Sequence, residues 1–380
     1  MSDHPTGTTT RPDPGRSGPP RRRSRKAPFA VVAALLAVLA LAVGATVGFS
    51  RIIHHFARSS ADYSDPVGAA VTVKITSGES LSAMGQQLEK AGVVESVGAF
   101  VSAANAANGA TKIPPGTFRL AAHMPAKEAV ARLLNPTYQV LWHVVVPEGR
   151  TTAEIVATLS SVTGITAAQF NAVLTQPAGY GLPTWDANPK GHQSEGFLFP
   201  ATYDFQPGSS PTSMLTAMTK RFGQAVSDTS LLTTSVPGNL TPFQILTVAS
   251  LAQAEAKRVE DMPKIARVIY NRLAKGMMLQ LDTTVLYANG GIRSITTTPA
   301  QRAVSSPYNT YQVKGLPPGP IDSPGEDAIK AALAPADGSW LYFVAVNPQT
   351  GETRFEDTAA EHAADTQLFQ QWLAAHPNSS

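Results

Sequence analysis

Two stretches of the chain share one pattern of apolar and polar positions at an offset of 71 residues: Val71–Ser96 (VTVKITSGESLSAMGQQLEKAGVVES) and Leu141–Ala167 (LWHVVVPEGRTTAEIVATLSSVTGITA). In each, alternation at period two predicts a strand, a glycine (Gly78, Gly149) turns the chain, and an amphipathic helix follows. Met84 matches Ile155 and Leu88 matches Leu159, while Ser80 and Thr151 stand where an N-cap is needed. Pro114-Pro115-Gly116 and a strand over Thr117–Leu120 complete the first unit. By periodicity alone, such a pair of small βα units serves equally well as a spacer or as a glycan-binding module.

Further on the period changes to that of helices. Ser210-Pro211 starts one running to about Val226. Thr241-Pro242-Phe243-Gln244 is a capping box opening another to about Arg258, with an apolar stripe of Ile245, Val248, Ala249 and Ala252. Glu255 falls on that stripe, and a carboxylate there needs a partner or a job. Asp261 is placed to cap a third helix that buries Ile265, Val268, Ile269 and Leu273 and stops at Gly276. Met277–Tyr287 alternates and reads as a strand with Gln280 and Asp282 on one face. Ser323-Pro324-Gly325-Glu326 reads as a capping box, Leu341–Val346 as a buried strand, and the residues up to Phe355 as its partner. Thr358–Glu361 caps a last helix to about Ala374. Short strands mixed with helices in this order predict an α+β fold.

The N-terminal end follows different rules. Phe29–Phe49 is 21 residues without a charge, long enough at 1.5 Å per residue to cross the roughly 30 Å core of a bilayer. Residues 1–28 hold seven Lys/Arg against Asp3 and Asp13, a balance of +5, so with +3 for the whole chain the remainder carries −2. The basic character therefore belongs to a Pro/Gly/Ser/Thr-rich tail that buries too little to fold, and a nucleic-acid role for the body has no support. With Arg21–Lys26 directly before the span, the positive-inside rule places the N-terminus in the cytoplasm and the body outside. The expected division is a basic cytoplasmic tail (1–28), a single-pass transmembrane helix (29–49), a stalk (50–69), tandem small units (70–175) and a catalytic domain (176–375).

Candidate chemistry gathers at Ser194-Glu195-Gly196-Phe197-Leu198-Phe199-Pro200. A carboxylate among apolar neighbours has its charged form disfavoured, so it stays protonated near neutral pH and can act as a general acid. The same stretch also fits an exposed loop glutamate beside a core strand. Ser306–Asp322 has four Pro and two Gly around Tyr308, Asn309 and Tyr311; such a rigid loop can stack on sugar rings, or simply pack. Cysteine is absent, which removes disulfides and thiolate chemistry. No phosphate loop, metal-ligand spacing or G-x-S-x-G elbow occurs, and His192 lies near a serine that lacks such an elbow. Neither a cofactor nor a metal is expected.

Three segments together, SEGFLFPATYDF, SLAQAEAKRVEDMPKIARVIYNRLAKGMMLQLDTTVLYANG and SPYNTYQVKGLPPGPIDSPGEDAIKAALAPADGSWLYFVAV, closely resemble the YceG-like family of membrane-anchored endolytic murein transglycosylases. The resemblance implies LysM-like units ahead of a mixed α+β catalytic domain. It implies that Glu195 is catalytic, that Glu255 is the second glutamate of an E-K-E motif, and that Gln280, Asp282, Tyr308, Asn309 and Tyr311 line or support the glycan cleft. The chain departs from the family where Gln253 and Ala254 replace the first two residues of E-K-E. The implied reaction cleaves the β-1,4 bond between N-acetylmuramic acid and N-acetylglucosamine in nascent peptidoglycan strands and leaves 1,6-anhydro ends. The implied partners are glycan strands and membrane-bound peptidoglycan synthases. A muramidase-type hydrolase, using Asp204, Asp282 or Glu255 as a second carboxylate, and a non-catalytic peptidoglycan-binding scaffold remain the alternatives.

Overall fold

The computed structural model describes residues 60–65, 68–108, 112–192, 194–291 and 296–376. The tail, the Phe29–Phe49 span and most of the stalk lie outside the described residues. Among those described, no helix is long and apolar enough to cross a membrane.

The described residues divide into two compact units, those up to 114 with 120–137, and 115–119 with those from 138 onwards. The first holds β1 (Ala70–Ile75), α1 (Leu81–Lys90), α2 (Val97–Ala106), the end of β2 (Gly116–Ala121) and α3 (Ala126–Leu133). β1 and β2 form a two-stranded sheet. Ser80 caps α1 and Ser96 caps α2 by accepting backbone N–H bonds. Gly78 turns the chain at φ +81°. Ile75, Leu88, Phe100, Met124 and Leu133 are fully enclosed, so the helices cover the sheet through the apolar stripes that their sequences predict.

The second unit carries β3 (Trp142–Val145), α4 (Thr152–Thr163), α5 (Ala167–Leu174), β4 (Thr202–Phe205), α6 (Pro211–Thr229), α7 (Pro242–Glu255), α8 (Met262–Ala274), α9 (Asp282–Ala288), α10 (Pro299–Arg302), α11 (Glu326–Leu333), β5 (Tyr342–Asn347), β6 (Glu352–Glu356) and α12 (Ala359–Ala375). β3 runs antiparallel to β4, with Trp142 opposite Phe205 and Val145 opposite Thr202. The second βα stretch, parallel in sequence to the first, thus pairs with a strand some sixty residues downstream, and the compact units do not follow the 70–175 and 176–375 division. Thr151 caps α4 in a full capping box with Glu154, and Gly164 ends it in the left-handed region.

α7 is the central helix, packed against α8 and α11. Every residue from Ile245 to Ala252 is buried, not one stripe only. Its interior hydroxyls are satisfied locally: Thr247 donates to the Phe243 carbonyl (2.9 Å) and Ser250 to that of Thr247 (3.0 Å), while Ser250 accepts the Ile321 N–H (3.1 Å). Two apolar clusters flank the segment after Glu195. Phe197 and Phe199 enter the cluster of α7, α8 and α11, whereas Leu198 enters that of α4, α5 and α6. Alternate side chains nail this segment between two cores, which fixes the residue preceding it.

Four expectations are corrected. Met277–Tyr287 is not a strand: a loop to Leu281 leads into α9, with Gln280 left-handed at φ +49°. The loop backbone is held by Thr310, whose carbonyl accepts the Gln280 N–H (3.1 Å) and whose hydroxyl accepts the Leu281 N–H (2.9 Å), leaving no ladder to build. Ser323 does not cap α11, because its backbone pairs with Arg150 and its carbonyl accepts the Gly149 N–H; Gly325 takes the N-cap position without a side-chain bond. Asp261 lies in a 3₁₀ turn and makes no cap bond to α8. β5 is half-buried rather than buried, apart from Val346.

Candidate active site

Glu195 is only 4% exposed. Its backbone is set by a tight turn: the Glu195 N–H donates to His192 (2.9 Å), the Phe197 N–H to Ser194 (3.0 Å), and Gly196 adopts φ +86°. The Asn188 side-chain amide holds the Glu195 carbonyl (3.0 Å), and Tyr180 and Ser194 share a buried hydroxyl bond at 2.6 Å.

The carboxyl group meets the start of α4. Oε1 accepts the Thr152 N–H at 2.9 Å and the Thr152 hydroxyl at 3.3 Å; Oε2 accepts the Tyr287 hydroxyl at 3.1 Å. A helix N-terminus offers free N–H groups and a positive dipole end, both favouring an anion. Burial works in the opposite direction and dominates, pushing the Glu195 carboxyl up to about 7; the bonds from Thr152 and Tyr287 oppose it, and the nearby Glu154 adds to it. A cleft of about 580 Å³ opens on this carboxyl, lined by Thr151, Asn171, Lys190, His192, Tyr287 and Gly291 among others.

Three rings crowd this cleft. Tyr287 lies 4.9 Å from Tyr308 between centroids, and His192 lies 5.9 Å and 5.6 Å from them. The His192 Nδ1 is 2.8 Å from the Tyr287 hydroxyl. Burial and the Glu195 charge raise both tyrosines, Tyr308 to about 12. The Tyr308 hydroxyl is buried with no hydrogen-bond partner among the described residues.

Of the remaining candidates, Glu255, Asp282 and Tyr311 form a second cluster. Glu255, at the end of α7, accepts the hydroxyl and N–H of Thr283. Burial pushes it up to about 7 as well; Thr283 opposes this and Asp282 reinforces it. Asp282 accepts the Tyr311 hydroxyl and the Thr297 hydroxyl, both at 2.7 Å. The two clusters meet on one helix: Thr283 and Tyr287 are i and i+4 on α9, so one face of this short element holds a glutamate at each end. Asn309 is fully enclosed, its amide donating to the Arg302 and Val304 carbonyls and its oxygen accepting the Tyr311 N–H, so it folds the loop internally. Gln280 is exposed. Asp204 projects from β4 towards His143 on the exposed face. Among the described residues, no group of three or more His, Cys, Asp or Glu side chains is placed to hold a metal.

Gln253 has a defined place. Its Oε1 accepts the Gly325 N–H (2.9 Å) ahead of α11, and its side chain bonds the Glu148 carboxyl. A glutamate at 253 would face Glu148 as a like charge; the amide can accept on one side and donate on the other. Thr152, Tyr287 and Asn188 are absent from the sequence-based candidates. Only the start of α4 was marked in the sequence, by the N-cap Thr151, and nothing local shows that it meets a carboxylate 43 residues away.

The sequence profile of the YceG-like family matches residues 73–367. The chain is 33% identical over 304 residues to the endolytic murein transglycosylase of Bacillus subtilis strain 168, covering 77% of this chain and 82% of that one. It is 31% identical over 335 residues to the protein of the same name from Streptococcus pneumoniae strain D39, covering 81% of this chain but 59% of the longer pneumococcal protein. The crystal structure of a YceG-like protein from Listeria monocytogenes superposes with a TM-score of 0.53 at 31% identity, over 78% of this chain and 99% of that one. The motifs around Glu195, Glu255 and Tyr308, and the fold that carries them, fall within the matched residues: the chain belongs to the YceG-like family.

Proposed function

We propose that this protein is an endolytic lytic transglycosylase that cleaves peptidoglycan strands at the bond between N-acetylmuramic acid and N-acetylglucosamine. One observation carries the reading: a single buried carboxyl group, held near neutrality in an open cleft, on a chain of this family. Glu195 in its protonated form gives its proton to the glycosidic oxygen of the departing sugar as the C1–O bond breaks. The resulting carboxylate takes the proton of the muramic C6 hydroxyl while O6 attacks C1. A 1,6-anhydro ring forms, Glu195 ends protonated as it began, and no water enters. The substrate's acetamido group can stabilise the developing oxocarbenium charge.

A hydrolase would need a second carboxylate across the bond to activate water or to act as nucleophile. Asp204, Asp282 and Glu255 are each bonded to other groups, which favours the one-carboxylate route. The experiment is digestion of purified glycan strands by the full-length chain in detergent, with mass analysis of the products. Anhydro ends are expected throughout the strand; reducing, water-added ends would replace this reading by a muramidase, and intact strands would leave only binding.

The reading extends to a single-pass anchor at Phe29–Phe49 with the catalytic unit outside the membrane, LysM-like small units contributing glycan contacts, and membrane-bound synthases as partners supplying nascent strands. The basic tail before an uncharged 21-residue span supports it. A reporter fused after Ser380 is expected to be active only outside the membrane. Protection of the C-terminus during protease shaving of intact cells would reverse the topology.

A further inference from the structure

The two oxygens of Glu195 are not equivalent. Oε1 takes a backbone N–H, a group that can only donate, and also lies within reach of the Thr152 hydroxyl. Its accepting directions are therefore occupied. Oε2 faces a hydroxyl, which can donate or accept, and behind that hydroxyl stands His192 Nδ1 at 2.8 Å. His192 is exposed at the cleft wall, and the Tyr287 hydroxyl stands between it and the carboxyl.

We infer that Tyr287 and His192 are positioning residues that make Oε2 the proton-carrying oxygen of Glu195 and stabilise it once the proton has left. When Glu195 is a carboxylate, the Tyr287 hydroxyl donates to Oε2 and accepts from His192 Nδ1–H. The chain His192–Tyr287–Glu195 then points all its dipoles at the developing charge, where an already oriented donor contributes most. Thr152 holds the other oxygen, so the carboxyl cannot rotate to present Oε1. His192 acts only through Tyr287. This inference rests on the proposed role of Glu195 as acid and base.

Other groups also face the carboxyl: Glu154 on α4, Tyr308 from the rigid loop, and Lys190 lining the same cleft; Asp322 acts on Tyr287. The test must therefore separate Tyr287 from this background. The Tyr287→Phe variant keeps the ring packing and removes the donor. Its kcat on glycan strands is expected to fall about 10- to 100-fold, the range for a hydrogen bond to a charged group, with KM little changed. Because the ionised form loses its donor, the pH at which activity falls should move upward by about one unit. His192→Ala should lower kcat by a smaller factor, and His192→Asn, which keeps an amide donor near the Nδ1 position, should restore part of it.

The decisive measurement is the double variant Tyr287→Phe/His192→Ala, which should be no slower than Tyr287→Phe alone within about twofold. Multiplying losses in the double variant, or a Tyr287→Phe profile that drops without moving in pH, would overturn the relay, provided the wild type releases anhydro ends. Wild-type protein that releases none would overturn the transglycosylase reading itself, and with it this inference. Melting temperatures within a few degrees of wild type are required of all variants; a variant that fails this is replaced by His192→Asn/Tyr287→Phe in the same cycle, with the same two outcomes.

Discussion

Glu195→Gln is expected to abolish nearly all turnover, by at least the ~10²- to 10⁴-fold that a positioned general acid–base contributes. The substitution keeps shape: the amide oxygen can still accept the Thr152 N–H, and the Tyr287 hydroxyl can accept from the new NH₂ group. It removes only the proton. Glycan binding and melting temperature should stay close to wild type, because the cleft walls come from α4, α9 and the surrounding loops rather than from this side chain. In the wild type, the reaction begins from protonated Glu195. Its carboxyl is pushed up to about 7 by burial, so activity should be level below that pH and fall about tenfold per unit above it. An ordinary glutamate, near 4.3, would leave almost no acid at neutral pH. Near wild-type release of anhydro products by Glu195→Gln would sink the assignment and shift attention to Glu255, the other carboxyl held near 7.

Gly196→Ala should be the most damaging small substitution near the site. Gly196 sits at φ +86°, and a Cβ there would lie 2.7 Å and 2.8 Å from two ring carbons of Pro320 and 3.3 Å from Leu246. The left-handed backbone costs about 1–2 kcal/mol for a residue with a Cβ, and the overlap another 1–3. A proline ring cannot turn aside as a flexible chain would. For a unit of this size, such a loss lowers the melting temperature by roughly 10 °C. Activity should fall further than stability alone explains, since any shift of the turn moves the carboxyl off Thr152 and Tyr287. Calorimetry and turnover of Gly196→Ala measure both effects; wild-type values in each would show that the turn tolerates a side chain.

How the carboxyl group came to be legible follows from the same turn. The glycine, the proline and the aromatic residues around Glu195 are local, and local chemistry is what a sequence displays. The capping boxes at Thr151, Thr241 and Thr358 are local for the same reason, since each closes within one helical turn. Met277–Tyr287 misled because Leu279 and Leu281 are buried two apart as in a strand, while the partner that holds this loop is Thr310, some thirty residues away. Alternation shows which side chains are buried; it does not supply the neighbouring strand.

The loop at 306–322 carries the same lesson in reverse. Its prolines and glycines announce rigidity, but whether a tyrosine or an amide faces the cleft depends on which backbone carbonyls come near. Asn309 is enclosed by Arg302 and Val304, Tyr311 turns to Asp282, and Tyr308 alone of the three is in reach of the Glu195 charge.

The sequence by itself determined the helices capped by Ser80, Thr151, Ser210, Thr241 and Thr358, the apolar segment around Glu195 and the family. Each is written in residues a few positions apart, or in motifs kept in order. Only the tertiary structure decided that the N-terminus of α4 meets Glu195, that α9 carries Thr283 to one glutamate and Tyr287 to the other, and that His192 stands behind Tyr287. These meetings join residues between 28 and 95 positions apart. They are fixed by the burial of Phe197 and Leu198 into two different cores, a constraint of packing in three dimensions that no spacing along the chain records.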